Sequence, residues 1–111
     1  MFYRKFGAGD EKYLWTAHAR LKMRQYGLSE GRVKRIIRFP TRYEEGIAPK
    51  TVAVMQPAGT KRYQEIWAMY KLAKRGDAKS IKIITAWRYP GKSPLRDPIP
   101  QEILREIKQL L

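Results

Sequence analysis

His18 is the only histidine in the chain, and no other side chain present has an ordinary pKa, about 6.5, that suits proton transfer near neutral pH. Lys22 follows one helical turn later, with Arg20 between them. Cleavage of a phosphodiester through a neighbouring hydroxyl needs a base for the hydroxyl proton, an acid for the leaving oxygen, and cations for the charge that builds on the phosphate. For that chemistry His18 is the candidate base, Tyr89 or Tyr70 the candidate acid, and Lys22, Arg20 or Arg88 the candidate cations. Thr85, polar on an otherwise apolar strand, either completes such a site or pairs with a buried group. His18 has the same two readings, because a histidine at a helix start can equally bond Thr85 or a backbone carbonyl and lock helix to sheet. Either way, the sequence expects His18 within hydrogen-bonding reach of Thr85.

Composition narrows the chemistry further. No cysteine and one histidine among 111 residues leave no disulfide, no thiolate and no zinc cluster of the usual kind. Gly7-Ala8-Gly9 lacks the third glycine of a dinucleotide fingerprint and there is no Walker sequence, so neither a cofactor nor a metal is expected. The 24 lysines and arginines against 10 acidic residues give a net charge of +14, which makes a polyanion the default partner. The excess lies in two stretches, residues 1–38 with ten basic and three acidic residues and 61–96 with ten and two. Arg20, Arg24, Arg32 and Arg35 in the first stretch, and Lys71 and Lys82 in the second, are the candidates for phosphate contact. Trp67, Tyr70, Trp87 and Tyr89 interleave with Lys71, Lys82 and Arg88, an arrangement that suits either stacking of unpaired bases or the packing of a small core. The longest apolar run, residues 66–70, falls far short of the ~18 residues of a membrane span, and the first residues form no signal peptide. A cytoplasmic protein with no membrane partner is the expectation.

The elements that must position these residues follow from caps and periodicity. Thr16 is a helix N-cap, AHARLKMRQY over 17–26 holds strong helix formers, and Gly27 supplies the left-handed stop. Ala19, Met23 and Tyr26 form its buried stripe. Ser29 caps a second helix with Val33, Ile36 and Ile37 inward, ended by Phe39 and Pro40. Residues 13–15 form a short extended piece, TVAVMQ over 51–56 is a strand, and residues 63–73 are read as strand rather than helix. SIKIITAWRY is the last strand, with Ile81, Ile83, Thr85, Trp87 and Tyr89 on one face and Lys82, Ile84, Ala86 and Arg88 on the other. After the proline-rich PGKSPLRDPIP comes a helix whose Ile103, Leu104, Ile107, Leu110 and Leu111 must dock, on the sheet or against the Val33–Ile36 helix. One domain spanning 1–111 is expected: a flexible arm over 1–12, a core over 13–90, and the proline-rich loop and helix over 91–111.

The segments HARLKMRQYGLSE (18–30) and VKRIIRFP (33–40), the EEG at 44–46, and the strands EIWAMYK and IKIITAWRY resemble a bacterial family known as domain of unknown function 4258. The resemblance covers residues 13–90. It implies an α+β fold with two N-terminal helices packed on a small antiparallel sheet, similar to the RelE and BrnT toxins, which cleave RNA without a metal. A basic RNA-acting domain, a metal-independent ribonuclease among its forms, is the function this implies, with RNA ahead of DNA as target and an antitoxin-like protein or a second copy as further partner. The family pattern points to His18. A non-catalytic nucleic-acid-binding module or a protein-interaction domain are the alternatives. The C-terminal helix and the +14 charge depart from the family pattern.

Overall fold

Strand β1 (Lys12–Trp15) runs straight into a helix, and Thr16 makes the junction. Its hydroxyl accepts from the Ala19 amide, capping α1 (Ala17–Tyr26), and donates to the carbonyls of Ile83 and Ile84, tying the cap to the sheet. Gly27 ends α1 at φ 69°, and the Ser29 hydroxyl caps α2 (Glu30–Arg38) through the Arg32 amide. Four more strands follow: β2 (Arg42–Glu45), β3 (Thr51–Pro57), β4 (Gln64–Arg75) and β5 (Ala78–Pro90); α3 (Gln101–Leu110) closes the chain. This computed structural model describes residues 12–75 and 78–110. The expected arm over 1–12, apart from Lys12, lies outside the described residues, as do the centre of the KRGDAK turn and Leu111.

The fold is α+β, with three helices and a five-stranded sheet in the order β1-β5-β4-β3-β2 among the described residues. The sheet is mixed rather than antiparallel: β1 pairs parallel to β5, while the other neighbours are antiparallel. A strand leading into a two-helix excursion has chain enough to lie parallel at the edge. Strand β2 is also new. Its sequence, RYEE, is short and charged, as edge strands tend to be, and so carries little apolar signal.

Both faces of the sheet are covered. Helices α1 and α2 bury Ala19, Met23, Val33, Ile36 and Ile37 against Val54, Ile66, Ala68, Ile81 and Ile83. On the other face Ile103 and Ile107 of α3 pack on Ala53, Met55, Trp67, Met69 and Trp87. The C-terminal helix therefore docks on its own sheet, on the side away from Val33, through Ile103 and Ile107; of the rest of the expected set Leu104 is half-buried, Leu110 is 62% exposed and Leu111 lies outside the described residues. That removes the main motive for a protein-interaction role built on Ile103 and Ile107. Trp67 and Trp87 stack at 5.7 Å with no exposure, so both are core residues and neither can stack a base.

The expected faces of β5 need correction as well. A β-bulge shifts the register between Met69 and Tyr70, so that Tyr70 faces Ile83 while Met69 faces Thr85, leaving Ile84 as the extra residue. Upstream of the bulge Ile81 and Ile83 face α1 and α2; downstream Ala86 does, and Trp87 and Tyr89 face α3.

The proline-rich loop is pinned by one buried carboxylate. Glu65, with no exposure, accepts from the Ser93 hydroxyl and amide, from Trp67 Nε1 at 3.0 Å and from the Tyr63 hydroxyl at 3.0 Å. Burial alone would raise its pKa; the donors outweigh that and hold it below the usual carboxylate value. Arg42 reinforces the hub, donating to Ser93, to the Pro94 carbonyl and to Glu44. Trp87 Nε1 donates to the Pro98 carbonyl.

Candidate functional site

Strand β1 accompanies β5 only from Ser80 to Ile83, and beyond that point α1 takes over its edge. Tyr26 accordingly touches both cores, and its carbonyl accepts from Arg88 at 3.0 Å. Lying at the edge, α1 can reach α3 across the sheet. Lys22, 1% exposed, does so, its ammonium meeting Glu106 at 2.9 Å, Glu102 at 3.0 Å and Gln25 at 3.0 Å. Burial would lower the Lys22 pKa, but Glu106 and Glu102 outweigh it and hold the ammonium above its ordinary value.

His18, one turn earlier, presents Nε2 to Glu106 at 3.7 Å, too far for a hydrogen bond, and this buried nitrogen has no partner. Burial lowers the His18 pKa, Glu106 opposes that and Lys22 adds to it, so the imidazole is neutral at neutral pH. The bond expected between His18 and Thr85 is not made: the Thr85 hydroxyl is fully buried opposite Met69 with no hydrogen-bond partner.

His18 also forms part of the wall of a cavity of about 380 Å³, together with Thr16, Thr51, Lys71 and Lys82. Ala17, Ala48, Pro49, Ile84 and Leu110 supply its apolar surface. The lysines arrive there by register, since Thr51, Lys71, Lys82 and Leu14 form one cross-strand row over four strands. The loop before Thr51 closes the far wall. Gly46 makes that approach feasible, because a Cβ there would collide with the Thr51 side chain and backbone, and the Thr51 hydroxyl then bonds the Ala48 amide and carbonyl.

Of the residues singled out in the sequence, the cavity thus unites His18, Lys71 and Lys82, with Lys22 bound to Glu106 behind His18. The rest disperse. Arg88 donates to the Tyr26 carbonyl and to Gln64, on the α1–α2 side, while Tyr89 is half-buried in the α3 core. Tyr70 packs on the opposite core, its hydroxyl pushed up to about 12 by burial and by neighbouring Tyr43 and Tyr13, which makes it a poor proton donor. Lys22 is a buried structural cation, not a free one. Arg20 pairs with Glu30 at 2.9 Å and lies over the Trp15 ring; Arg32 donates to the Pro57 carbonyl. Arg24 and Arg35 remain exposed on the helix layer.

Sequence reasoning overlooked three functional-looking carboxylates: Glu65, Glu102 and Glu106. A lone acid on the Trp67 face of an apolar strand marks Glu65. For Glu102 and Glu106 the signal is their i, i+4 spacing on a helix with a basic neighbour.

Comparison of the chain with protein-family models, with curated proteins and with solved structures finds no match. No described helix is long and apolar enough to cross a membrane.

Proposed function

We propose that this protein is a nucleic-acid-binding module, with RNA the first target to test and no cleavage required for its role. The observation that carries the reading is where the acidic residues are spent. Ion pairs among the described residues engage Glu30, Glu44, Glu65, Glu102 and Glu106, yet the lysines and arginines they draw on are only Arg20, Lys22 and Arg42. Among the described residues Arg24, Arg32, Lys34, Arg35 and Arg38 of α1 and α2 form no ion pair, so most of the positive charge of the helix layer is uncompensated. At Arg32 burial first, and then the charges of Arg35 and Arg88, lower the pKa, so repulsion between guanidinium groups adds to the cost of burial there. A polyanion laid along α1 and α2 relieves that repulsion. The preference for RNA over DNA rests on what the sequence resemblance to domain of unknown function 4258 implies, a likeness to RNA-cleaving toxins.

Binding of a single-stranded oligoribonucleotide, followed by fluorescence anisotropy, should weaken roughly 10³-fold or more between 50 and 200 mM salt if six or more phosphates are held. Arg24→Gln combined with Arg35→Gln should flatten that dependence. A response already flat in the parent protein rejects the reading.

Cleavage has one observation in its favour, the neutral His18 on a cavity shared with two lysines. RNA degraded in the presence of EDTA, and spared by His18→Ala, would establish it; intact RNA throughout leaves binding as the function.

A further inference from the structure

We propose that the cavity between α1, the 48–51 loop and the Lys71–Lys82 pair is a binding site for a phosphate monoester carried on a nucleoside, separate from the basic helix layer. Lys71 and Lys82 face each other directly across β4 and β5. Like charges so placed repel, and no carboxylate among the described residues forms an ion pair with either or lines the cavity. The contrast with another hollow is informative, because the one lined by Tyr43, Glu44, Glu45 and Arg96 holds its own counter-charges. An anion is the missing partner of the lysine pair.

Two ammonium groups favour a dianion over a singly charged diester, and a phosphate monoester carries about −1.5 to −2 at pH 7. The remaining wall is of another kind. Ala48, Pro49, Ile84 and Leu110 offer apolar contact to whatever carries the phosphate, and about 380 Å³ lies within the ~300–1,000 Å³ of small-molecule sites. His18 adds its ring to this wall, while its buried Nε2 faces Glu106 at 3.7 Å rather than the cavity's contents. The phosphate assignment stands on the cavity alone; the choice of a nucleoside as carrier rests on the nucleic-acid reading above. The monoester has two sources, a free nucleotide or the phosphorylated end of a strand.

The test uses the whole chain and five probes: inorganic phosphate, adenosine monophosphate, and one oligoribonucleotide with a 5′-phosphate, with a 3′-phosphate, or with hydroxyls at both ends. Adenosine monophosphate should shift the NMR signals of Ile84 and Leu110 and bind at least tenfold tighter than inorganic phosphate. One phosphorylated oligonucleotide should bind at least tenfold tighter than the hydroxyl form if the ligand is a strand end, and neither if it is a free nucleotide. Lys71→Gln with Lys82→Gln should abolish both the nucleotide shifts and any end preference, leave binding of the hydroxyl form largely intact, and not lower the melting temperature, since a repulsion has been removed. Failure of every oligonucleotide to bind while adenosine monophosphate binds would overturn the nucleic-acid reading and leave the pocket assignment standing. The proposal is overturned if adenosine monophosphate leaves Ile84 and Leu110 unshifted, if inorganic phosphate binds as well as the nucleotide, or if the double variant binds the nucleotide like the parent.

Discussion

Two buried charged groups flank the C-terminal helix, and they are built on opposite plans. Glu65 receives donors from Ser93, Trp67 and Tyr63, a set that comes from a strand and the loop it holds. Around Lys22 the ammonium is satisfied by half-exposed Glu102 and Glu106, while adjoining His18 keeps a buried nitrogen without a partner. A buried charge whose own atoms are all met by donors is a fastening. One that borders an unpartnered polar atom and a cavity is where the molecule still has chemistry to offer.

The sharpest test of that difference is to remove each anchor. Glu65→Ala strands several buried donors at once and should cost about 3–5 kcal/mol, lowering the melting temperature by more than ~10 °C. Glu102→Gln with Glu106→Gln leaves Lys22 buried and unpaired, but these carboxylates stand partly in water, so a loss of about 1–2 kcal/mol is expected by urea denaturation. A double variant as damaging as Glu65→Ala would erase the distinction. Lys22→Met, which removes the charge and keeps the volume, should fall closer to the parent than the double variant does.

Thr85→Val should move stability the other way, by up to about 1 kcal/mol, since a fully buried hydroxyl with no partner is replaced by a methyl group. Destabilisation would show that the hydroxyl has a partner in solution.

The smallest effect concerns pH. His18 has a lowered folded pKa, so below its unfolded value of about 6.5 the unfolded chain binds the proton more readily, and stability declines as pH falls from there. The carboxylates with lowered values, Glu44, Glu65 and Glu102, add their own losses only at more acid pH. Between pH 7 and pH 5, then, His18→Gln should show a flatter stability profile than the parent; parallel profiles would refute the assignment.

What the sequence disclosed, and what it withheld, divides by distance along the chain. Thr16, Gly27 and Ser29 announce α1 and α2 because caps act within four residues. Residues 63–73 match a helical stripe as well as a strand, and only their dense aromatics and the KRGDAK segment that follows identify β4. Lys22 looks like a free cation because its acceptors lie 80 and 84 positions away. Lys71 and Lys82 were visible as phosphate contacts, but only the hairpin register puts them side by side, and only the Thr16 tether brings His18 to them. The faces of β5 could not be foreseen: a bulge at Ile84 leaves no mark in a run of β-branched residues that pack well either way.

That bulge bears on how faithfully the chain can assemble. In an even hairpin, a slip of one residue exchanges the two faces of a strand, and where both faces are apolar the exchanged pairing can be nearly as comfortable as the right one. Here the strand changes sides partway, so no uniform slip satisfies both halves: sliding β5 by one position to suit Ile81 and Ile83 on the α3 side would drive Trp87 toward the helices on the other. Deleting Ile84 would join the two halves in one even ladder with the remaining side chains of β5 on their native faces, so the variant should keep the fold while losing the feature that sets the correct register apart from a uniform slip.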